Sequence, residues 1–132
     1  MNLIDRTIEI EAPASKVWQV FVDPETTRQM GGEYISDWQV GNPIGFKGLD
    51  GKMLTNGVIL KIEPEKLLQH KLFNSIGSIS SLITYELQEK NGHTTLYARE
   101  EFAHAVTDDA YVDAVEGWNA ALLAVKEVAE AI

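Results

Sequence analysis

The sequence predicts an α+β fold in one domain, a single antiparallel sheet of about six to seven strands covered by helices, with the longest helix last. Three observations predict it. A period-two pattern opens the chain, strand-and-turn texture fills the middle, and an apolar stripe at helical spacing closes it. The chain has 132 residues, which fits one domain covering 1–132. At that size folding buries roughly two-thirds of the extended surface, enough for one core.

Leu3 to Glu11 alternates, with Ile4, Ile8 and Ile10 on one face and Asp5, Thr7, Glu9 and Glu11 on the other, as in a half-buried strand. Arg6 interrupts the inner face, which places it near an edge. Pro13 stops the strand and suits the first turn of a helix carrying Val17, Trp18, Val20 and Phe21. Asp23-Pro24 ends that helix, because a residue before proline avoids the α region. A second short helix is expected from Pro24 to about Met30, closed by Gly31-Gly32. Strands then follow around Ile44–Phe46, Leu54–Ile62, Leu67–Phe73 and Ile79–Leu87, punctuated by Gly41-Asn42-Pro43, Asp50-Gly51 and Glu63-Pro64-Glu65. Asn91-Gly92 is the strongest hairpin signal in the chain and leads into Thr94–Phe102. Thr107-Asp108-Asp109 supplies a capping residue and an acidic first turn. Val115, Trp118, Leu122, Val125, Ala129 and Ile132 then form the stripe of a helix of about six turns. A sheet with one apolar face must be covered, and these helices are what can cover it.

With 11 basic and 20 acidic residues the formal charge is −9, which argues against nucleic acid and anionic membrane as partners. There is no cysteine, so disulfides and thiolate chemistry are excluded. The opening residues do not read as a signal peptide, and no run approaches the ~18 apolar residues of a membrane span. A cytoplasmic location is therefore expected. No phosphate loop, dinucleotide fingerprint or nucleophile elbow is present. His70, His93 and His104 lack metal-like spacing, so no metal and no cofactor is expected.

Several short motifs occur in a telling order: Ala12-Pro13-Ala14-Ser15-Lys16-Val17-Trp18, Asp23-Pro24-Glu25 and Ser36-Asp37-Trp38-Gln39-Val40-Gly41-Asn42-Pro43-Ile44. Gly57-Val58, Ile62-Glu63-Pro64 with Leu67, Thr84-Tyr85-Glu86-Leu87 and Gly117-Trp118 with Leu122 and Lys126 continue it. The ordered set resembles the START-like (SRPBCC, birch-pollen-allergen-like) superfamily. Within it, the chain looks most like the homologues of the activator of the ninety-kilodalton heat-shock protein ATPase. The resemblance implies a helix-grip fold, a curved sheet wrapped around the C-terminal helix, with a cavity between the two. Many relatives carry a histidine near the end of the last strand, where this sequence has Glu100.

A pocket in that position needs apolar and aromatic walls with a few polar groups. Inward candidates from the first half are Phe21, Met30, Trp38, Phe46, Leu54 and Phe73. From the second half come Ile83, Tyr85, Leu96, Glu100, Phe102, Trp118 and Leu122. Each could equally be plain core. Glu100 is the sharpest polar candidate, since alternation puts it on the face of Leu96 and Ala98. It could orient a ligand or act as a general base, or it could sit wet at the strand end or paired with a lysine or Arg6. Tyr85 is the best placed of the tyrosine hydroxyls, while Tyr97 faces outward.

The leading expectation is a protein that binds a small apolar or aromatic molecule. The alternatives are a chaperone-regulator-like interaction module and a cofactor-free cyclase- or hydrolase-type enzyme using the same cavity. No residue is assigned a catalytic role. An exposed edge strand leaves room for a homodimer.

Overall fold

A computed structural model describes residues 2–74 and 76–132. Strand β1 (Leu3–Ile10) is followed by helix α1 (Ala14–Val22), the short helix α2 (Pro24–Thr27) and a 3₁₀ turn over Arg28–Met30. Strands β2 (Gly32–Ser36), β3 (Pro43–Gly48), β4 (Met53–Glu63), β5 (Leu67–Phe73), β6 (Ile79–Lys90) and β7 (His93–Phe102) come next, and helix α3 (Asp108–Ala131) ends the chain. The seven strands form one antiparallel sheet in the order β1-β7-β6-β5-β4-β3-β2. This is the expected α+β helix-grip architecture, with two short helical segments after the first strand.

Local chemistry explains the turns. Asn91 (φ 54°) and Gly92 (φ 78°) both take the left-handed backbone that a two-residue hairpin requires. Gly31 ends the 3₁₀ turn at φ 99°, where a side chain would be strained. Pro13 stands at the N-cap of α1, one place before the first-turn position expected for it. It offers no side-chain cap, and the Ala14 N–H donates instead to Glu89 Oε1 at 2.6 Å. The first turn of α3 is closed by Thr107, whose Oγ1 accepts from the Ala110 N–H at 3.2 Å.

The sheet bends because register breaks occur in three adjacent pairings, at Phe46/Lys47, Ile59/Lys61 and Leu72/Phe73. Such bulges add local twist and re-aim the strand. Gly57 lets β4 and β5 close up at the bend: a Cβ there would lie 1.9 Å from the Lys71 carbonyl oxygen, a backbone atom that cannot swing away. Gly57→Ala should therefore cost about 2–3 kcal/mol, in the range for forcing a carbon into a packed site. Urea denaturation measures this, and a loss under about 0.5 kcal/mol would show that the two strands part freely.

Helix α3 lies across the concave face. Its second half is pressed onto the core through Leu122, Val125, Val128 and Ala129, all buried. It is also tied to the start of the chain. Lys126 Nζ donates to the Glu9 carbonyl at 2.9 Å, Glu130 Oε2 accepts from the Glu11 N–H at 2.8 Å, and Lys16 Nζ donates to the Ile132 carbonyl at 2.6 Å. Arg6, on the edge strand as expected, donates from Nε to Asn119 Oδ1 at 2.9 Å. In the first half of the helix, Val115 and Trp118 are only half-buried. The helix stands off the sheet there, and a cavity opens beneath it. Among the described residues no helix is long and apolar enough to cross a membrane.

Candidate functional site

One cross-strand row forms the floor of the site. The register pairs Ile59 on β4 with His70 on β5, His70 with Ile83 on β6, Ile83 with Glu100 on β7, and Glu100 with Ile4 on β1. Alternation points these side chains to the helix-covered face. His70 and Glu100 thus stand two strands apart, separated by roughly 10 Å of backbone, with Ile83 between them.

Above this row lies a cavity of about 380 Å³ between the sheet and α3. That volume falls within the usual range for small-molecule sites. Nine of the expected residues line it: Phe21, Met30, Phe46, Leu54, Ile83, Tyr85, Glu100, Trp118 and Leu122. Leu54 is 64% exposed and Ala121 is also exposed, so the cavity opens to solvent between β4 and α3.

The remaining four candidates are placed elsewhere. Leu96 is fully buried, paired with Ile8 and Leu87 further along the sheet. Phe73 ends β5 just past the register break that follows Leu72, and it does not line the cavity. Phe102 lies past Glu100 at the end of β7. Trp38 sits on the β2–β3 loop at φ 62° and packs edge-on against Tyr34 with centroids 5.8 Å apart, one layer behind the wall.

The wall is a chain of aromatic contacts. Phe21 meets Tyr85 at 4.8 Å and Tyr34 at 6.2 Å, Tyr34 meets Phe46 at 5.1 Å, and Tyr85 meets Trp118 at 5.7 Å between centroids. Ring pairs at these separations add about 0.5–1.5 kcal/mol each beyond area burial. Burial pushes the Tyr85 hydroxyl well above its ordinary range, helped by the neighbouring Tyr34 hydroxyl and the Glu100 carboxylate. Burial raises Tyr34 as well. Both remain neutral donors at physiological pH.

Glu100 is half-buried, and its Oε1 accepts from the Trp118 indole N–H at 2.8 Å. Its partner is therefore the helix tryptophan. Of the alternatives open for Glu100, pairing with Arg6 is not realised, because Arg6 is drawn to Asn119 instead.

His70 is the polar residue that motif reasoning passed over, because it was weighed only as a metal ligand. It is 5% exposed, and neither ring nitrogen has a protein hydrogen-bond partner. Its row neighbours, Ile59 and Ile83, offer none. Burial holds the imidazole down to about 4 against a weaker opposing pull from the Lys71 backbone, so it is neutral at pH 7. An unpaired buried polar group costs about 1–3 kcal/mol, which marks the position as unusual in a folded core. The signal was present in the sequence: Leu68, His70 and Leu72 alternate as an inward set. Tyr34, Thr55, Leu72 and Val125 also line the cavity, as do Ala121 and Ala124, whose small side chains leave room under the helix.

The lining residues include neither lysine nor arginine. Among the described residues no three His, Asp or Glu side chains stand close enough to hold a metal ion. On the convex face the surface is polar, with Arg99 Nε paired to Asp5 Oδ1 at 2.8 Å.

Comparison with known proteins bears on what such a site belongs to. The model of the family described as Activator of Hsp90 ATPase homolog 1-like protein matches residues 11–130. Sequence comparison with curated proteins finds no match. Among solved structures, a protein of Mesorhizobium loti superposes with a TM-score of 0.80 at 18% identity, over 96% of this chain and 95% of its own. The Aha1 dimer from Colwellia psychrerythraea gives 0.80 at 20% identity, over 98% and 97% of the two chains. CalU16 from Micromonospora echinospora gives 0.78 at 21% identity, over 96% and 75%. At these identities the structural likeness concerns the fold.

Proposed function

The chain belongs to the Activator of Hsp90 ATPase homolog 1-like protein family, and from that premise we propose that it binds a small, largely apolar aromatic molecule in the cavity between its sheet and α3. The observation that carries this reading is the cavity itself. Its volume of about 380 Å³, its continuous aromatic wall and its few convergent polar groups are what a small-molecule site requires. A core serving only stability would fill such a space, because each unfilled volume costs packing energy. The ligand-contacting residues proposed are the nine expected ones that line the cavity, together with Tyr34 and His70. A cytoplasmic setting belongs to the same proposal.

A thermal-shift screen with two- and three-ring aromatic compounds tests it. At about 100-fold excess over Kd, binding adds about 2.7 kcal/mol, a rise in Tm of roughly 8–12 °C for a domain of this size. Ala124→Phe, which places a ring at the half-buried helix side of the cavity, should abolish that rise while leaving the unliganded Tm within a few degrees. A screen without a single shift, or shifts that survive Ala124→Phe, would remove the cavity as the binding site.

A second reading has the family's description in its favour: an interaction module that docks on a chaperone ATPase or, like the Colwellia protein, on a second copy of itself. Retention of the host chaperone in a pull-down by wild type and Ala124→Phe alike would support it. Sedimentation tests the homodimer, for which β1 and β2 offer the two free sheet edges.

A further inference from the structure

We infer that the molecule bound in the cavity carries a hydroxyl group on its aromatic ring, and that His70 is the residue that selects it; this rests on the cavity reading above. His70 lines the cavity, is 5% exposed, and leaves both ring nitrogens without a protein partner. A neutral imidazole has one nitrogen that donates and one that accepts. A hydroxyl both donates and accepts, so it can satisfy either nitrogen, whatever the tautomer, when a bound molecule reaches the ring. An apolar ligand would leave that nitrogen dry and unpaired, the costly arrangement for a buried polar atom.

Charge narrows the class further. No lysine or arginine lines the cavity, and the Glu100 carboxylate shares the cross-strand row with His70, so an anionic ligand would be repelled. Ile59 and Ile83 flank His70 on either side, and the burial that keeps its own ring neutral disfavours a cation against it equally. A neutral group remains. The rings of Phe21, Tyr85 and Trp118 present the flat surfaces against which a planar ring stacks. A neutral phenol meets all of these conditions together.

Two probes of nearly equal shape, 2-naphthol and 2-methylnaphthalene, isolate the hydroxyl. Their affinities are measured by isothermal titration against wild type, His70→Leu and His70→Gln. The ratio of affinities, naphthol over hydrocarbon, should fall about tenfold or more from wild type to His70→Leu. In His70→Gln, which keeps a donor and an acceptor, it should stay within about twofold of wild type. Undiminished binding of 2-methylnaphthalene by His70→Leu shows that the variant is folded with its cavity intact. A ratio unchanged in His70→Leu overturns the inference and leaves the cavity reading standing. Failure of wild type to bind either probe overturns the inference, while the cavity reading stands or falls on the wider aromatic screen.

Discussion

Phe21→Ala should destabilise the protein by about 3–5 kcal/mol, the range for truncating a buried phenylalanine. Phe21 is 2% exposed on α1, and its ring is the junction of the aromatic wall, 4.8 Å from Tyr85 and 6.2 Å from Tyr34. The substitution removes the transfer energy of the ring and leaves a void that neighbours cannot fill. The void adjoins an existing cavity, so Tyr34 and Tyr85 lose the face that holds them apart. A domain of this size has about 5–15 kcal/mol of stability in total, so the loss is a large fraction. Phe21→Leu, which nearly conserves volume, should cost less than about 1.5 kcal/mol. Urea midpoints of the two variants give the comparison. Equal, small losses would mean that the ring is not packed as described.

Acid should weaken the protein through His70, and His70→Leu should remove that sensitivity. In the unfolded chain a histidine titrates near 6.5, whereas in the fold burial holds His70 down to about 4. Between those values the unfolded state binds the proton and the native state does not. Stability therefore falls as pH drops from about 6.5 towards 4, and the loss is complete below that. Linkage puts the total at about 3 kcal/mol. Carboxylates held below their ordinary range by hydrogen bonds, Asp23 to Thr26 and Glu130 to Lys126, contribute their own slope, so the quantity to measure is the difference between wild type and His70→Leu in urea unfolding at pH 7, 5.5 and 4. The two curves should diverge on acidification, with the leucine variant losing less. At pH 7 it should be at least as stable as wild type, because an apolar side chain replaces an unpaired polar one. Parallel curves would mean that the imidazole gains a proton in the native state as readily as in the unfolded chain.

The fold was legible because its signals are local. Alternation in β1, β6 and β7, the Asn91-Gly92 turn, the Asp23-Pro24 break and the stripe from Val115 to Ile132 each reside within a dozen or so residues, and each produced the expected element. The site was legible only where one strand or helix carried enough pattern by itself. Ile83, Tyr85, Glu100, Trp118 and Leu122 followed from period and face, and all line the cavity. Phe73 lies outside the lining because β5 changes register just after Leu72, a break that a single-strand pattern does not display. Leu96 has the correct face but lies too far along β7, a coordinate that depends on where α3 crosses the sheet. The pairing of Glu100 with Trp118 was beyond reach, since it joins residues on two elements whose separation only the packed structure fixes. His70 was on view in the alternation of β5, but its lack of a partner depends on Ile59 and Ile83 from two other strands.

The row Ile4–Glu100–Ile83–His70–Ile59 draws one residue from each of five strands, and its first member pairs with a residue 96 positions further along the sequence. Only a segment that runs from Ile4 to Glu100 contains that row. Closing it requires the β1–β7 pairing, which joins Leu3 to Glu101 and so encloses about three-quarters of the polypeptide in one loop. Non-local pairings of this kind are formed slowly, after the hairpins that need only short closures. On the proposed reading, recognition is accordingly an all-or-none property that appears once β1 and β7 have paired. A partly folded molecule has hairpins and helical turns but no floor to the cavity, and occupancy would then report that folding has run to completion.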